Sequence, residues 1–248
     1  MIRVHALIMV LAARLTCGDA SANECHTDVF GDLRAVLSAI PGGARVWPEI
    51  PYCRALKVNT IDRSLWFELA DDSPYVHGGR RAEIGIDARF WSRETSQYSY
   101  EVFVPEMYPI TMDARWWAIS QWHDQPDPRV GQSWTNFPKR PPVISVHLRR
   151  TSDTTLLELR REDQGVVCRF AVREERWTRV SYEVHWSTAN DGWVRMNVAG
   201  GAECVSPGRT MYADYPNYFK IGQYVDPSVQ FGRARVGFRD VKVIQVDR

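Results

Sequence analysis

The sequence has little of what marks a nucleic-acid-binding or membrane-spanning protein. Its 31 lysines and arginines stand against 30 acidic residues, a formal charge of +1. That balance supplies no net attraction toward nucleic acid or an anionic lipid surface. No apolar run beyond the first residues could cross a bilayer. There is no internal repeat, no low-complexity linker and no long stretch of helical periodicity. Only Val29 to Ile40 (VFGDLRAVLSAI) reads as a short helix, ended by Pro41-Gly42-Gly43. Cysteine is scarce, and no C-x-x-C pair occurs, which argues against a zinc site. What is left is a charge-balanced chain of 248 residues, 44% hydrophobic, long enough for one large β domain.

The N-terminus has the layout of an export signal. Met1-Ile2-Arg3-Val4-His5 is a basic start, Ala6 to Ala13 an apolar stretch, and Ala20-Ser21-Ala22 a small-residue cleavage site. Arg14, and the lack of a small residue before Cys17, argue against lipoprotein processing. The expected organisation is a signal peptide over residues 1–22 and a single domain over 23–248, secreted or periplasmic and monomeric. Cleavage after Ala22 leaves Cys25, Cys53, Cys168 and Cys204. An even count in an exported chain favours two disulfides, and three pairings are open. Proximity in sequence favours Cys25–Cys53 and Cys168–Cys204.

From about residue 60 the chain alternates strands and turns. Residues 64–70, 81–86, 98–104, 116–123, 143–149, 155–161, 166–173, 178–186, 193–198, 218–224 and 234–246 are rich in Val, Ile, Tyr, Phe and Trp. Gly, Pro, Asn and Asp bound them. Asn190-Asp191-Gly192 suits a hairpin turn because Asp-Gly tolerates positive φ. Many short strands at this spacing predict an all-β sandwich or jelly roll. The arginines of Leu148-Arg149-Arg150 and Leu159-Arg160-Arg161 read as a solvated strand face paired with Glu158, Glu162 and Asp163.

Three strands carry polar residues where a buried strand has no need of them. Side chains alternate along a strand, so Gln121 and His123 share one face and Trp122 takes the other. In Arg80-Arg81-Ala82-Glu83-Ile84, a guanidinium at Arg81 lies on the same face as the Glu83 carboxylate that can hold it. In Tyr218-Phe219-Lys220-Ile221-Gly222-Gln223-Tyr224, the residues Tyr218, Lys220, Gly222 and Tyr224 share a face, while Phe219 and Ile221 point to the core. A lone histidine in a strand is usually structural, and His147 and His185 are read that way. Gln121 and His123 stand apart because two further polar strands accompany them.

The ordered set Arg81-Ala82-Glu83-Ile84, Gln121-Trp122-His123 and Tyr218-Phe219-Lys220-Ile221-Gly222-Gln223-Tyr224 resembles the jelly-roll polysaccharide lyases of the alginate lyase, glucuronan lyase and heparin lyase I type. Tyr100 to Pro105, Val184 to Ser187 with Asp191-Gly192, and Val236 to Val241 are similar too, so the likeness covers roughly residues 60–248. Alginate lyases usually have a second basic residue where Gly85 stands, and a small aliphatic residue where Trp122 stands. The first departure tilts the resemblance toward glucuronan and heparin lyase I. The resemblance implies a concanavalin A-like β-sandwich with a concave groove for an acidic polysaccharide.

It also implies β-elimination beside a uronic acid. A base removes the proton on the carbon next to the carboxylate, and an acid protonates the leaving oxygen. Charge building on the carboxyl group must be met by donors placed for it. Gln121 and Arg81 suit that task. His123 suits the base, and Tyr224 the acid, the role of the second motif tyrosine in the related lyases. An isolated phenol titrates near 10, so a tyrosine base needs nearby cations such as Lys220 or Arg81. Glu83, Lys220 and Tyr218 join Arg81 as substrate-binding candidates. Trp91, Trp116, Trp117, Trp134 and Trp193 are candidates for stacking on sugars, though most tryptophans in a sandwich are packing. No cofactor is implied. Calcium is structural in some relatives, but Asp71-Asp72 and Asp113 are too sparse to assign it. Two rival readings are a non-catalytic lectin-like glycan module and a glycoside hydrolase. The second needs paired carboxylates, with Glu83 and Asp87 the nearest candidates.

Overall fold

The computed structural model of the chain describes residues 32–37, 39–106 and 116–246. The expected signal peptide, Cys25 and Asp113 therefore lie outside the described residues. The strands are β1 (Arg45–Glu49), β2 (Leu56–Asn59), β3 (Ser64–Ala70), β4 (Tyr75–Val76), β5 (Gly79–Asp87), β6 (Thr95–Phe103), β7 (Trp117–His123), β8 (Ile144–Arg150), β9 (Thr155–Arg161), β10 (Gly165–Val172), β11 (Trp177–His185), β12 (Trp193–Val198), β13 (Cys204–Pro207), β14 (Tyr218–Val225) and β15 (Arg233–Gln245). They form two antiparallel sheets, ordered β1-β5-β14-β7-β8-β9-β10, with β4 on β5, and β13-β12-β11-β6-β15-β3-β2. This is the jelly-roll sandwich that the strand pattern predicts. A short helix over residues 32–36 precedes it.

Alternation drives the packing. Ile84 and Ile86 on β5, Trp122 on β7 and Phe219 and Ile221 on β14 meet Phe67, Tyr98, Tyr100, Tyr182 and Phe238 of the second sheet in one core. Trp122 is the hub, with ring centroids 4.9 to 5.1 Å from Phe219, Tyr182 and Tyr98. Removing such a buried indole typically costs about 3–5 kcal/mol. Polar pins cross the same layer. Gln223 Nε2 donates to the Phe67 and Ala234 carbonyls at 2.8 and 3.2 Å, and the Tyr100 and Ser120 hydroxyls lie 3.0 Å apart.

A bulge in β7 resolves a conflict in its pattern. Strict alternation would put Trp117 and Ile119 on the face of Gln121 and His123, yet both are buried in the core. The register to β8 shifts between Ala118 and Ser120, so Ile119 and Ser120 both turn inward. Parity then reverses. Ala118 before the bulge and Gln121 and His123 after it line the same outer groove.

Cys168 on β10 and Cys204 on β13 form a disulfide, the expected local pair. Cys53 is also disulfide-bonded, to a partner outside the described residues.

Three expectations need correction. The β11–β12 connection spans residues 186–192, since His185 pairs with Trp193. Neither Asp191 nor Gly192 takes positive φ. Gly192 is needed for close approach instead, because an added Cβ would lie 2.8 Å from the Gly208 carbonyl and the Thr210 hydroxyl. Arg161 is not on a solvated face. It is buried, with Nη1 donating to the Ser206 carbonyl at 3.1 Å and Nη2 to that of Arg209. Finally, β1 was not foreseen, because Pro48 interrupts its pattern. A proline is tolerated there because β1 is the edge of its sheet, where one side of the ladder needs no donor.

Gly222 generates a prediction. It has φ +139° at a register shift between β14 and β7, and an added Cβ would overlap the Ala82 carbonyl and approach Glu83 Cα to 2.6 Å. Both obstacles are backbone atoms. Gly222→Ala is expected to destabilise the fold by more than about 2 kcal/mol, read as a lower denaturation midpoint. An unchanged midpoint would contradict the packing described.

Candidate active site

The groove, ≈ 2110 Å³ in volume, runs over the outer face of the β1-β5-β14-β7 sheet. Strand register assembles its floor. Lys220 on β14 stands opposite Gln121 on one side and Gly85 on the other, Tyr224 opposite Arg81, and Tyr218 opposite His123. Arg81, Gln121, His123, Tyr218, Lys220 and Tyr224 all line this groove, so the predicted residues do share one face. Glu83 is fully buried beneath them.

The residue that ties the floor together is one the sequence reading missed. Glu49, on edge strand β1, lies directly across from Glu83. Its Oε2 accepts from Arg81 Nη1 at 2.6 Å and Lys220 Nζ at 2.7 Å, and its Oε1 from Trp47 Nε1 at 3.1 Å. Glu83 takes Gln121 Nε2 at 2.6 Å on one oxygen, and its other oxygen lies 3.3 Å from Arg81 Nε. Burial alone would push the Glu49 carboxyl up, but Lys220 and Arg81 outweigh it and hold the group at about 2, against 4.5 ordinarily. For Lys220, burial pulls the ammonium down against the pull of Glu83 and Glu49. For Arg81, burial is overcome by Glu83 and Glu49, and the guanidinium is held more firmly as a cation.

Two groups stand up from this buried floor. His123 keeps 21% of its side chain exposed. Its Nδ1 lies 2.8 Å from the Asp124 carbonyl oxygen, which can only accept, so Nδ1 carries hydrogen and Nε2 is free to take a proton. Asp124 is itself fixed by Arg140 Nε at 2.9 Å. Tyr224 is half-buried, its ring seated on Gly79, where a Cβ would collide with it. The Arg81 guanidinium carbon lies 4.0 Å from the Tyr224 ring centroid, and Trp116 packs at 4.4 Å. Tyr218 differs: it is buried, and burial with the neighbouring Glu49 raises its hydroxyl well above the ordinary value.

The remaining candidates divide. Trp116 and Trp134 line the groove, while Trp117 is core and Trp91 and Trp193 do not line it. His147 also lines it, but burial and then Arg160 lower it to about 3, so it stays neutral with its Nε2 3.0 Å from the Ser145 hydroxyl. His185 Nδ1 lies 3.1 Å from the Thr95 hydroxyl. Asp71 accepts from the backbone amides of Phe231 and Gly232, both at 2.9 Å. Among the described residues no group of three or more His, Cys, Asp or Glu side chains could hold a metal ion.

The chain is thus a jelly roll whose outer face carries a groove floored by paired cations and carboxylates. Residues 55–244 match the family model described as polysaccharide lyase, and the chain belongs to that family. Solved structures agree in fold. A family 7 alginate lyase, A1-II′, in complex with substrate is 12% identical with a TM-score of 0.58, over 79% of this chain and 84% of that one. An endo-β-1,4-glucuronan lyase from the fungus Trichoderma reesei is 15% identical with a TM-score of 0.54, over 83% and 88%. Alginate lyase PA1167 from Pseudomonas aeruginosa is 14% identical with a TM-score of 0.52, over 80% and 97%. No curated protein sequence matches this chain.

The Glu49 cluster predicts an acid limb in stability. A carboxyl held below its ordinary value contributes stability above that value and loses it as pH falls through the folded value. For Glu49 the window runs from 4.5 down to about 2, which corresponds to about 3 kcal/mol. Glu49→Gln should lower stability at pH 7 by about that amount and flatten the decline between pH 4.5 and 2, followed by thermal unfolding. Parallel pH curves for the two proteins would show that Glu49 is not the group responsible.

Proposed function

We propose that this polysaccharide lyase cleaves a uronic-acid-containing polysaccharide by β-elimination, leaving an unsaturated uronic acid at the new non-reducing end. The observation that carries the reading is a division within the groove. Arg81, Gln121, Tyr218 and Lys220 are buried, whereas His123 and Tyr224, the two groups suited to moving protons, keep access to it.

In this reading Gln121 and Arg81 meet the carboxyl group of the reacting uronate. Gln121 uses one amide hydrogen on Glu83 and has a second to give. His123 Nε2 takes the proton next to the carboxylate, and that electron pair becomes the new carbon–carbon double bond. The bond to the leaving oxygen breaks, and Tyr224 protonates that oxygen. Tyr224, which also keeps access to the groove, is the alternative base. Glu83 and Lys220 set the floor's charge, and Tyr218 acts as a wall beside His123, with ring centroids 5.9 Å apart.

A glycoside hydrolase is disfavoured by the same geometry. Glu83 is fully buried and bonded to Gln121, and Asp87 Oδ2 accepts from Arg45 at 3.0 Å, so neither carboxyl is free for acid–base work on a sugar. An acidic polysaccharide partner and a monomer released from the cell are part of the proposal. Disulfide-bonded Cys53, Cys168 and Cys204 favour an oxidising compartment, and no helix among the described residues is long and apolar enough to cross a membrane.

Absorbance of the unsaturated product on glucuronan, alginate and heparin-type polymers tests the activity, and three variants test the roles. Tyr224→Phe keeps the ring and the fold but should lose roughly 10²–10⁴-fold in turnover. Gln121→Ala should lose up to about 10²–10³-fold through weaker stabilisation of the developing charge. His123→Ala should fall as Tyr224→Phe does, unless tyrosine serves as both base and acid, which softens the loss. A folded Tyr224→Phe protein as fast as wild type removes Tyr224 from the mechanism.

A further inference from the structure

His123 ends β7, and the residue after it is out of the groove. Asp124 is buried and does not line the groove, yet its carboxylate stands between two nitrogen groups. Its Oδ1 is 3.1 Å from His123 Nδ1 and its Oδ2 2.9 Å from Arg140 Nε. Neither contact closes as a hydrogen bond, and both oxygens and Arg140 Nε are sealed from solvent. The Nδ1 hydrogen goes instead to the Asp124 backbone carbonyl at 2.8 Å. The carboxylate therefore acts on the imidazole as a charge set beside it. A buried carboxylate is costly unless a cation faces it, and Arg140 is the resting cation.

Arg140 is itself clamped. Its guanidinium carbon lies 4.7 Å from the Tyr212 ring centroid and 5.5 Å from that of Phe137. The Tyr212 hydroxyl donates to the Pro141 carbonyl at 3.1 Å, which ties this segment to the ring that Arg140 covers. The other titratable groups around His123 are occupied or screened. Tyr218 faces it from β14, and burial keeps that phenol neutral. Arg81, Lys220, Glu49 and Glu83 are paired with one another in the floor, and Arg160 is bound to Glu158 at 3.2 Å. Lys139 and Glu162 line the groove as exposed residues, where solvent and salt screen them. Asp124, backed by Arg140, is the charge set against the imidazole.

We propose that Asp124 is a positioning residue, a buried counter-ion that acts through His123. In the resting site Arg140 balances it. When Nε2 takes the proton next to the uronate carboxyl group, the imidazole becomes an imidazolium. The carboxylate 3.1 Å from Nδ1 is already in place to hold that charge. The electron pair left behind stays on the sugar and forms the double bond, so one proton alone crosses to the protein. The inference rests on the lyase reading with His123 as its base.

Removing one charge or the other should move the site in opposite directions. Asp124→Asn keeps the shape and leaves Arg140 unopposed, so the imidazole should protonate at a pH lower by about one unit. Arg140→Gln leaves the carboxylate unopposed, and protonation should move up by a similar amount. Proton NMR of the ring reads both without turnover, the His123 signal being identified by its loss in His123→Ala. The acid limb of kcat on the best uronate polymer should follow the same two directions. At its own optimum, Asp124→Asn should lose about 10–10²-fold in kcat with KM unchanged. That is less than the roughly 10⁴-fold of a serine protease triad, because the Asp124 carbonyl still fixes the tautomer. A merely structural Asp124 would alter the unfolding temperature and leave titration and acid limb in place. Titrations that coincide in all three proteins, or shifted titrations with wild-type kcat in Asp124→Asn, overturn the proposal. If Asp124→Asn does not fold, Arg140→Gln decides: upward shifts of both titration and acid limb support the role, and coincidence with wild type overturns it. Failure of the lyase reading has a separate signature: no unsaturated product from any uronate polymer, even where the NMR titrations move as expected. The counter-ion role then falls with the reaction it serves.

Discussion

Two carboxylates facing one another across β1 and β5, half-buried Glu49 and fully buried Glu83, are the constraint from which the groove follows. Like charges directly across neighbouring strands repel, and a buried charge without a partner costs several kcal/mol. The pair persists because Arg81 and Lys220 reach both carboxylates and Gln121 donates to Glu83. Satisfying the carboxylates fixes the cations, and fixing the cations sets what stands above them. Arg81 is held under the Tyr224 ring, and the Gln121 amide keeps one orientation. The floor is thus built before any sugar arrives, the condition under which donors stabilise developing charge at little reorganisation cost.

Glycines do as much for the site as the charged residues. Gly79 gives Tyr224 its seat, Gly85 gives Trp47 its bed, and Gly222 lets β14 run against the Ala82 carbonyl. A methyl group at Gly79 or Gly85 would lift an aromatic ring, and one at Gly222 would push β14 and β5 apart. The core has the opposite requirement: Trp122 fills by bulk the space between the sheets that Phe219, Tyr98 and Tyr182 leave.

Much of this is legible in the amino acids, for a physical reason. Side-chain alternation is local, so Gln121 with His123, Arg81 with Glu83, and Tyr218 with Lys220 and Tyr224 could be placed on faces without knowing which strands pair. The β3 and β9 boundaries match those expected. What could not be read depends on partners distant in sequence. Glu49 and Trp47 sit on a strand that Pro48 disguises, and their importance comes only from pairing with β5. The Ile119–Ser120 bulge is invisible because it is set by the register with β8. Asn190-Asp191-Gly192 does turn the chain between β11 and β12, but without positive φ; the glycine serves the close approach of Gly208 and Thr210.

The disulfides sit where the two sheets would otherwise come to an end. β10 is the last strand of one sheet and β13 the first of the other, and Cys168–Cys204 joins them. At the opposite side, the end strands are β1 and β2, and disulfide-bonded Cys53 lies in the short link between them. A sheet edge is a row of unpaired backbone groups open to pairing with a stranger. Tied together on the β10–β13 side, the sandwich resists fraying strand by strand along that margin. Reduction of Cys168–Cys204 would leave the aromatic core in place and free the end strands β10 and β13 from one another.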